Sequence, residues 1–230
     1  MGIVVYPESF TDLYRRLMKE VNGADVLKRG RTDVYHIQNY TVKITRIARA
    51  KKSRKILYLL GPSKGKREFR NLMALKTKGF SVPEPIFYWE NRCHGFVCEC
   101  GLVEKFLENA TPLRKMLKDG YLEILKPLGV LFRKLHDSGF FMRDLTYGNF
   151  LVADKIYLID VSRMIYLHAP VPFILRLEDL SKVDSTGDQL LQLLNYYWKN
   201  PGVARFSAKY IERRKLVRRY RKRITHALGV

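Results

Sequence analysis

Five polar residues of this 230-residue chain are spaced so that they could serve one reaction. Lys43 stands in the alternating stretch YTVKITRI, Glu68 in KREFRNLMAL, and Asp160 at the end of IYLID. Asp144 and Asn149 lie five positions apart in FFMRDLTYGNFLV, flanked by apolar runs. The lysine is a point charge for a phosphate, and a helix-borne glutamate can orient it. Asp160 and the amide oxygen of Asn149 are hard donors suited to Mg2+. Asp144 can accept the proton of an attacking hydroxyl and aim it. Phosphoryl transfer asks the protein mainly for positioning and charge neutralisation, and Lys, Glu, D-x-x-x-x-N and a later strand-ending Asp supply both. Singly, each is ordinary: a strand lysine is usually solvated, Glu68 can pair with Lys64 or Arg67, and Asp160 can cap a turn.

The surrounding pattern says which elements must hold them. SFTDLYRRLMKEV reads as a helix capped by Ser9 or Thr11. DVYHI and YTVKITRI, joined by Gln38-Asn39, read as a hairpin that carries Lys43. A basic stretch with Arg46, Arg49, Lys51, Lys52, Arg54 and Lys55 follows and is expected to be solvated. KGKREFRNLMALKTKGF is a helix by Phe69, Leu72, Met73 and Leu75, closed by Gly79. SVPEPIFYW and GFVCECGLVE are strands, and Thr111-Pro112 suits a cap and first turn for PLRKML. YLEILKPLGVLFRKLHDSG is a longer helix with Leu122, Leu125, Leu128, Phe132 and Leu135 on one face, in which Pro127 marks a kink or the true start. Two short strands, NFLVA and KIYLIDV, follow, and the chain is helical from about Pro172. The order predicts an α+β, two-lobed fold: a small β-rich N-lobe with one helix (1–101) and a mainly helical C-lobe (102–230).

Composition bounds the partners. Forty-three Lys plus Arg against 22 Asp plus Glu leave +21, a field that favours nucleic acid, acidic lipid or phosphorylated glycan. MGIVVYPESF has no secretory pattern, and no stretch approaches the roughly 20 apolar residues of a membrane span. The expectation is a cytoplasmic protein, soluble or peripheral to a membrane. Cys93, Cys98 and Cys100 cluster with His94, but their spacing matches no paired zinc pattern and their number is odd, so reduced thiols are expected.

LHDSGFFMRDLTYGNFLV resembles the signature of the lipopolysaccharide core kinases, a bacterial branch of the protein-kinase-like superfamily that phosphorylates heptose or Kdo. KGKREFRNLMALKTKGFSVPEPIFY and YLIDVSRM resemble two further segments of that family, so the likeness runs over about residues 26 to 165. It implies Asp144 as catalytic base, Asn149 and Asp160 as Mg2+ ligands, Lys43 at the phosphates and Glu68 as its ion pair. It also implies ATP as donor, bound between the lobes with its adenine against Glu99 to Gly101. Three positions depart from the wider kinase pattern. Met142 stands where a histidine is usual, Val161 and Ser162 follow the metal aspartate, and the glycine loop is reduced to KRGRTDV, with Gly30 alone.

RFSAKYIERRKLVRRYRKRI, residues 205 to 224, has one acid, Glu212, and a stripe of Phe206, Tyr210, Leu216 or Val217 and Tyr220. It reads as a last helix with a solvated basic face, as a contact with an anionic membrane, or as a nucleic-acid surface. The reading that absorbs most of the chain is an ATP-dependent kinase of the lipopolysaccharide inner core, heptose ahead of Kdo, peripheral at the inner face of the cytoplasmic membrane. The rival is a small atypical kinase working with ribosome or tRNA-modification machinery.

Overall fold

The computed structural model describes residues 2–49 and 61–227, and side chains for all of these but 49, 219 and 221–227. Lys51, Lys52, Arg54 and Lys55 of the basic stretch therefore lie outside the described residues. The chain forms two compact units, 1–110 with 157–163, and 111–156 with 164–230. The boundary expected after Gly101 falls inside a strand.

The first unit contains β1 (Gly2–Tyr6), α1 (Thr11–Glu20), β2 (Asp25–Lys28), β3 (Thr32–Ile37), β4 (Tyr40–Arg46), α2 (Lys64–Thr77), β5 (Pro85–Cys93) and β6 (Phe96–Lys105). Its antiparallel sheet has the order β1-β5-β6-β4-β3-β2, so β6 is paired along both edges. The alternation of β4 buries Val42 and Ile44 against Tyr35, Ile37, Phe87, Trp89, Val103 and Leu17 of α1. The same alternation turns Lys43 to the opposite face, opposite Leu102 in register. The β3–β4 hairpin turns at Gln38-Asn39 as expected, with Gln38 at φ 53.

Helix α1 departs from the expected capping. A 3-10 turn, Glu8–Phe10, precedes it, and Phe10 rather than Ser9 or Thr11 occupies the cap. The Thr11 hydroxyl donates to the Glu8 carbonyl instead. Helix α2 is capped by Ser63, whose Oγ accepts the Lys66 N–H at 3.1 Å, and Gly79 past its end has φ 74. Phe69, Leu72 and Leu75 are buried as expected, but Met73 faces solvent. At the β5–β6 turn Cys93 and Cys98 form a disulfide, which corrects the expectation of three thiols; Cys100 is free and buried. The hairpin brings their Cα atoms to 5.9 Å, within disulfide reach.

The second unit contains β7 (Thr111–Pro112), α3 (Leu113–Lys118), α4 (Leu125–Asp137), β8 (Phe140–Phe141) and β9 (Phe150–Val152). After β10 (Ile156–Leu158), which leads back to the first unit, come β11 (Ile165–Tyr166), α5 (Phe173–Leu180), α6 (Gly187–Trp198) and α7 (Pro201–Ala227). Thr111-Pro112 does not cap α3 with a side chain; it is a two-residue strand paired with β9. Pro127 lies in the first turn of α4, where its missing N–H leaves no hydrogen bond unmade. Leu125, Leu128, Phe132 and Leu135 form the buried stripe, while Leu122 sits in the exposed 3-10 turn before it. Gly129 lets α4 approach α6: a Cβ there would stand 2.8 Å from the Leu193 carbonyl oxygen.

Candidate active site

In the first unit the sheet and α2 converge on Lys43. Its Nζ lies 2.8 Å from Glu68 Oε1 and 2.8 Å from Glu104 Oε1. The convergence has a backbone cause. Gly65, in the first turn of α2, rests on Gly101 of β6 so closely that a Cβ would meet the Gly101 carbonyl oxygen at 2.3 Å. Glu68, one turn further on and buried, is thereby brought over β4. Burial opposes the Lys43 ammonium, but Glu104 and Glu68 outweigh it and hold its pKa above the ordinary lysine value. The pKa of Glu104 is raised by burial, only partly offset by Lys43. Among the described residues its Oε2 has no hydrogen-bond partner.

Asp160 follows β10 with φ 52, a left-handed conformation uncommon for a non-glycine residue. Two bonds tie its segment into the first unit: Leu158 N–H donates to the Ser81 carbonyl at 3.0 Å, and Asn71 Nδ2 donates to the Val161 carbonyl at 2.7 Å. Lys64 Nζ stands 3.3 Å from Asp160 Oδ1 and 3.1 Å from the Thr32 hydroxyl. Burial alone would raise the Asp160 pKa; Lys64, then Lys43 and Lys28, hold it below the usual aspartate range. Three lysines from β2, β4 and α2 thus act on one carboxylate.

In the second unit the turn carrying Asp144 and Asn149 is held by its own backbone. Asn149 Nδ2 donates to the Asp144 carbonyl at 2.7 Å, and Thr146 N–H donates to the same oxygen at 2.8 Å. The Tyr147 ring is buried and its hydroxyl meets Ser185; burial pushes the phenol up to about 12. Upstream, Asp179 Oδ2 accepts the Met142 N–H at 2.6 Å and faces His136 Nε2 at 3.3 Å, while His136 Nδ1 lies 2.6 Å from the Tyr197 hydroxyl. All three side chains are fully buried. Arg143, next to the catalytic candidate, has φ 61 and is exposed.

Each unit by itself carries an oxygen donor of the hard kind that Mg2+ takes. Using Nδ2 inside the turn leaves Asn149 its Oδ1 to offer a metal, and the ionised Asp160 carboxylate already attracts the Lys64 ammonium at Oδ1. The other candidates at the expected nucleotide site are engaged within the first unit. Gly30 N–H donates to Asp33 Oδ1 at 3.1 Å, a bond that closes the β2–β3 turn. Glu99 pairs with Arg46 at 3.0 Å, and Arg46, still partly exposed, also reaches Asp33 at 2.9 Å. Gly101 packs under Trp89 and Gly65, with β4 and β5 on either side. Glu99 is paired in register with Arg46 and Asn91, and Gly101 with Ile44 and Trp89, in a strand that runs on to Lys105. Sequence reasoning missed Glu104, Lys64 as a partner of Asp160, and Asp179. Lys64 stood one turn from Glu68 and was visible, whereas nothing in the local pattern marks Glu104 or Asp179.

Residues 8–167 match the lipopolysaccharide kinase (Kdo/WaaP) family. The chain belongs to that family. All five residues of the candidate set, Lys43, Glu68, Asp144, Asn149 and Asp160, lie inside the matched span. Among relatives of this lipopolysaccharide kinase family member, the 3-deoxy-D-manno-octulosonic acid kinase of Vibrio cholerae is 30% identical over 101 residues, 42% of this chain and 43% of that protein. The match thus spans under half of that relative's length. The EKC/KEOPS complex subunit BUD32 of Enterocytozoon bieneusi is 26% identical over 144 residues, 58% of this chain and 68% of that one. The solved structure of WaaP in complex with acyl carrier protein aligns with a TM-score of 0.62 and 18% identity, over 93% of this chain and 98% of that chain. That likeness gives the α+β fold expected from the order of elements and the kinase-like character implied by the family resemblance.

Proposed function

We propose that this family member transfers the terminal phosphate of ATP to a sugar hydroxyl of the lipopolysaccharide inner core, with heptose ahead of Kdo as acceptor. The observation that carries the reading is the family match over residues 8–167, because it contains Lys43, Glu68, Asp144, Asn149 and Asp160 together. Magnesium-bound ATP supplies the phosphoryl group and part of the neutralising charge. Lys43, braced by two carboxylates, holds phosphate oxygens, and Lys64 adds a second ammonium from α2. Asp160 and Asn149 offer hard oxygen donors to the metal. Asp144 accepts the proton of the sugar hydroxyl and aims it at the phosphorus, which favours in-line transfer. The charge of +21 suits an acceptor rich in carboxylates and phosphates. The proposed location of the reaction is the inner face of the cytoplasmic membrane.

The test is phosphate mapping by mass spectrometry on core oligosaccharide from cells with and without the protein, joined to transfer from labelled ATP by the purified chain. A phosphate on heptose that disappears with the protein supports the full reading. A phosphate lost from Kdo keeps the reaction and changes the sugar. An unchanged core, with transfer to protein or to an RNA-bound partner instead, overturns the reading in favour of the BUD32-like alternative.

A further inference from the structure

Helix α7 turns the expected stripe outward. Its buried seam is Ala204, Ser207 and Ile211. Further along the same side, Arg214 reaches Glu178, Arg218 reaches the Ser181 carbonyl at 3.3 Å, and the Lys215 ammonium donates to the Val183 and Ser185 carbonyls. These cations are internal fasteners on α5 and the segment after it. The opposite face, at helical spacing, exposes Phe206 (58%), Leu216 (51%), Val217 (52%) and Tyr220 (56%), with Lys209 and Arg213 among them. The helix's single acid in this region, Glu212, lies at the edge of that face and accepts the Gly187 N–H at 3.1 Å.

From this we infer that the outer face of α7 docks on an anionic phospholipid surface. Four large apolar side chains facing water on one helix face, interleaved with cations, match the layered chemistry of a membrane interface: acyl boundary for the apolar groups, phosphates for the cations. Two of the four, Leu216 and Val217, give a nucleic acid nothing to stack on, whereas all four suit an acyl boundary, which sets RNA behind lipid. Among the described residues no helix is long and apolar enough to cross a bilayer, so α7 lies on the surface rather than through it. The division of labour on α7 is specific: Lys209 and Arg213 meet lipid headgroups, whereas Arg214, Lys215 and Arg218 hold the helix to its own unit. The inference rests on the exposure and charge of α7, and not on which molecule accepts phosphate.

The experiment is co-sedimentation of the full chain with vesicles of phosphatidylcholine alone and with 30% phosphatidylglycerol, at about 0.05 and 0.3 M salt, chosen to straddle strong and weak screening. Binding is expected only to the anionic vesicles and weaker at high salt. Lys209→Gln with Arg213→Gln should cost about 30-fold in affinity at low salt, from about fivefold for each cation at the surface. Phe206→Ser with Leu216→Ser should cost at least as much and should also remove binding that survives high salt. Melting temperature and transfer to a soluble acceptor are followed in parallel, because both variants should keep them. Arg214→Gln should lower the melting temperature and leave the vesicle affinity of the folded fraction alone. Equal binding to neutral vesicles, unchanged binding in both surface variants, or tighter binding of RNA or of an acidic protein through the same residues each overturns the inference. Loss of transfer with intact vesicle binding strikes the kinase reading alone.

Discussion

Glu104 Oε1 lies 2.8 Å from Lys43 Nζ, the same distance as Glu68 Oε1, so the lysine is braced from β6 as well as from α2. Each carboxylate therefore backs up the other. Glu68→Gln and Glu104→Gln should each lower kcat/KM for ATP by only about three- to tenfold. The double variant should lose more than the product of the two, because residues sharing one partner couple. A double-mutant cycle read in kcat/KM checks this. Strictly multiplicative losses would mean that the two carboxylates do not share Lys43 during turnover.

Removing the lysine should change the pH dependence of stability as well as activity. In Lys43→Met two buried carboxyls, Glu68 and Glu104, lose their counter-charge. Burial already raises the Glu104 pKa, and loss of the ammonium raises it further. A carboxyl whose folded pKa exceeds its unfolded value of about 4.3 takes up a proton on folding, so stability falls as pH rises from that value through the folded pKa. The variant should thus be more stable at pH 5 than at pH 8, with a slope of up to about 1.4 kcal/mol per pH unit for one group. Urea unfolding at several pH values measures it, and Glu104→Gln in the same background should flatten the slope. ATP use should fall sharply in Lys43→Met while acceptor binding changes little.

Asp144→Ala and Asp160→Ala should each lower transfer by at least about a thousandfold with the fold retained. Asp160 is half-buried beside Lys64, and Asp144 contributes its backbone carbonyl to the turn, which alanine preserves. Circular dichroism confirms folding, and single-turnover transfer at saturating ATP and Mg2+ measures the chemistry. Near-normal transfer in either variant would remove that residue from the mechanism.

Asp179→Ala should be worse for stability than either. It leaves the Met142 N–H and the His136 ring without their buried acceptor, a loss of about 3 kcal/mol. Asp179→Asn keeps an oxygen for Met142 and should recover about half of that. Denaturant midpoints distinguish the two. Equal stability in all three proteins would show that the buried chain through His136 carries no net energy.

Legibility followed locality. The D-x-x-x-x-N turn, the β3–β4 hairpin and the buried stripe of α4 are set by neighbours a few residues apart, and each was readable from its pattern. Glu104 was not, because its significance comes from two strands and a helix meeting at Lys43, and a glutamate at the end of an apolar strand looks like an edge residue. Asp179 is 37 residues from the backbone amide it accepts. The stripe on α7 was found but its orientation was left open: helical spacing identifies a face, not which of two faces turns inward. The inward face here is built from Ala204, Ser207 and Ile211 and from long cations bonded to carbonyls and to Glu178, a combination that hydrophobic periodicity does not register. Thr111-Pro112 misled for a related reason, since its role as a strand depends on Val152 and Leu151, forty residues away.

The return of residues 157–163 to the first unit has a consequence for how the chain matures. Synthesis proceeds from the N-terminus, yet Asn71 and Ser81 must wait for Val161 and Leu158 to emerge before their hydrogen bonds can form. The whole of α3 and α4 is translated in the interval. A nascent chain stopped near residue 110 would hold the complete six-stranded sheet and still lack the segment that bears Asp160. The first unit is thus begun first on the ribosome but finished only after much of the second has been made. Its last stitch is a contact of long sequence separation, the kind that forms slowly and leaves an unfinished surface exposed meanwhile.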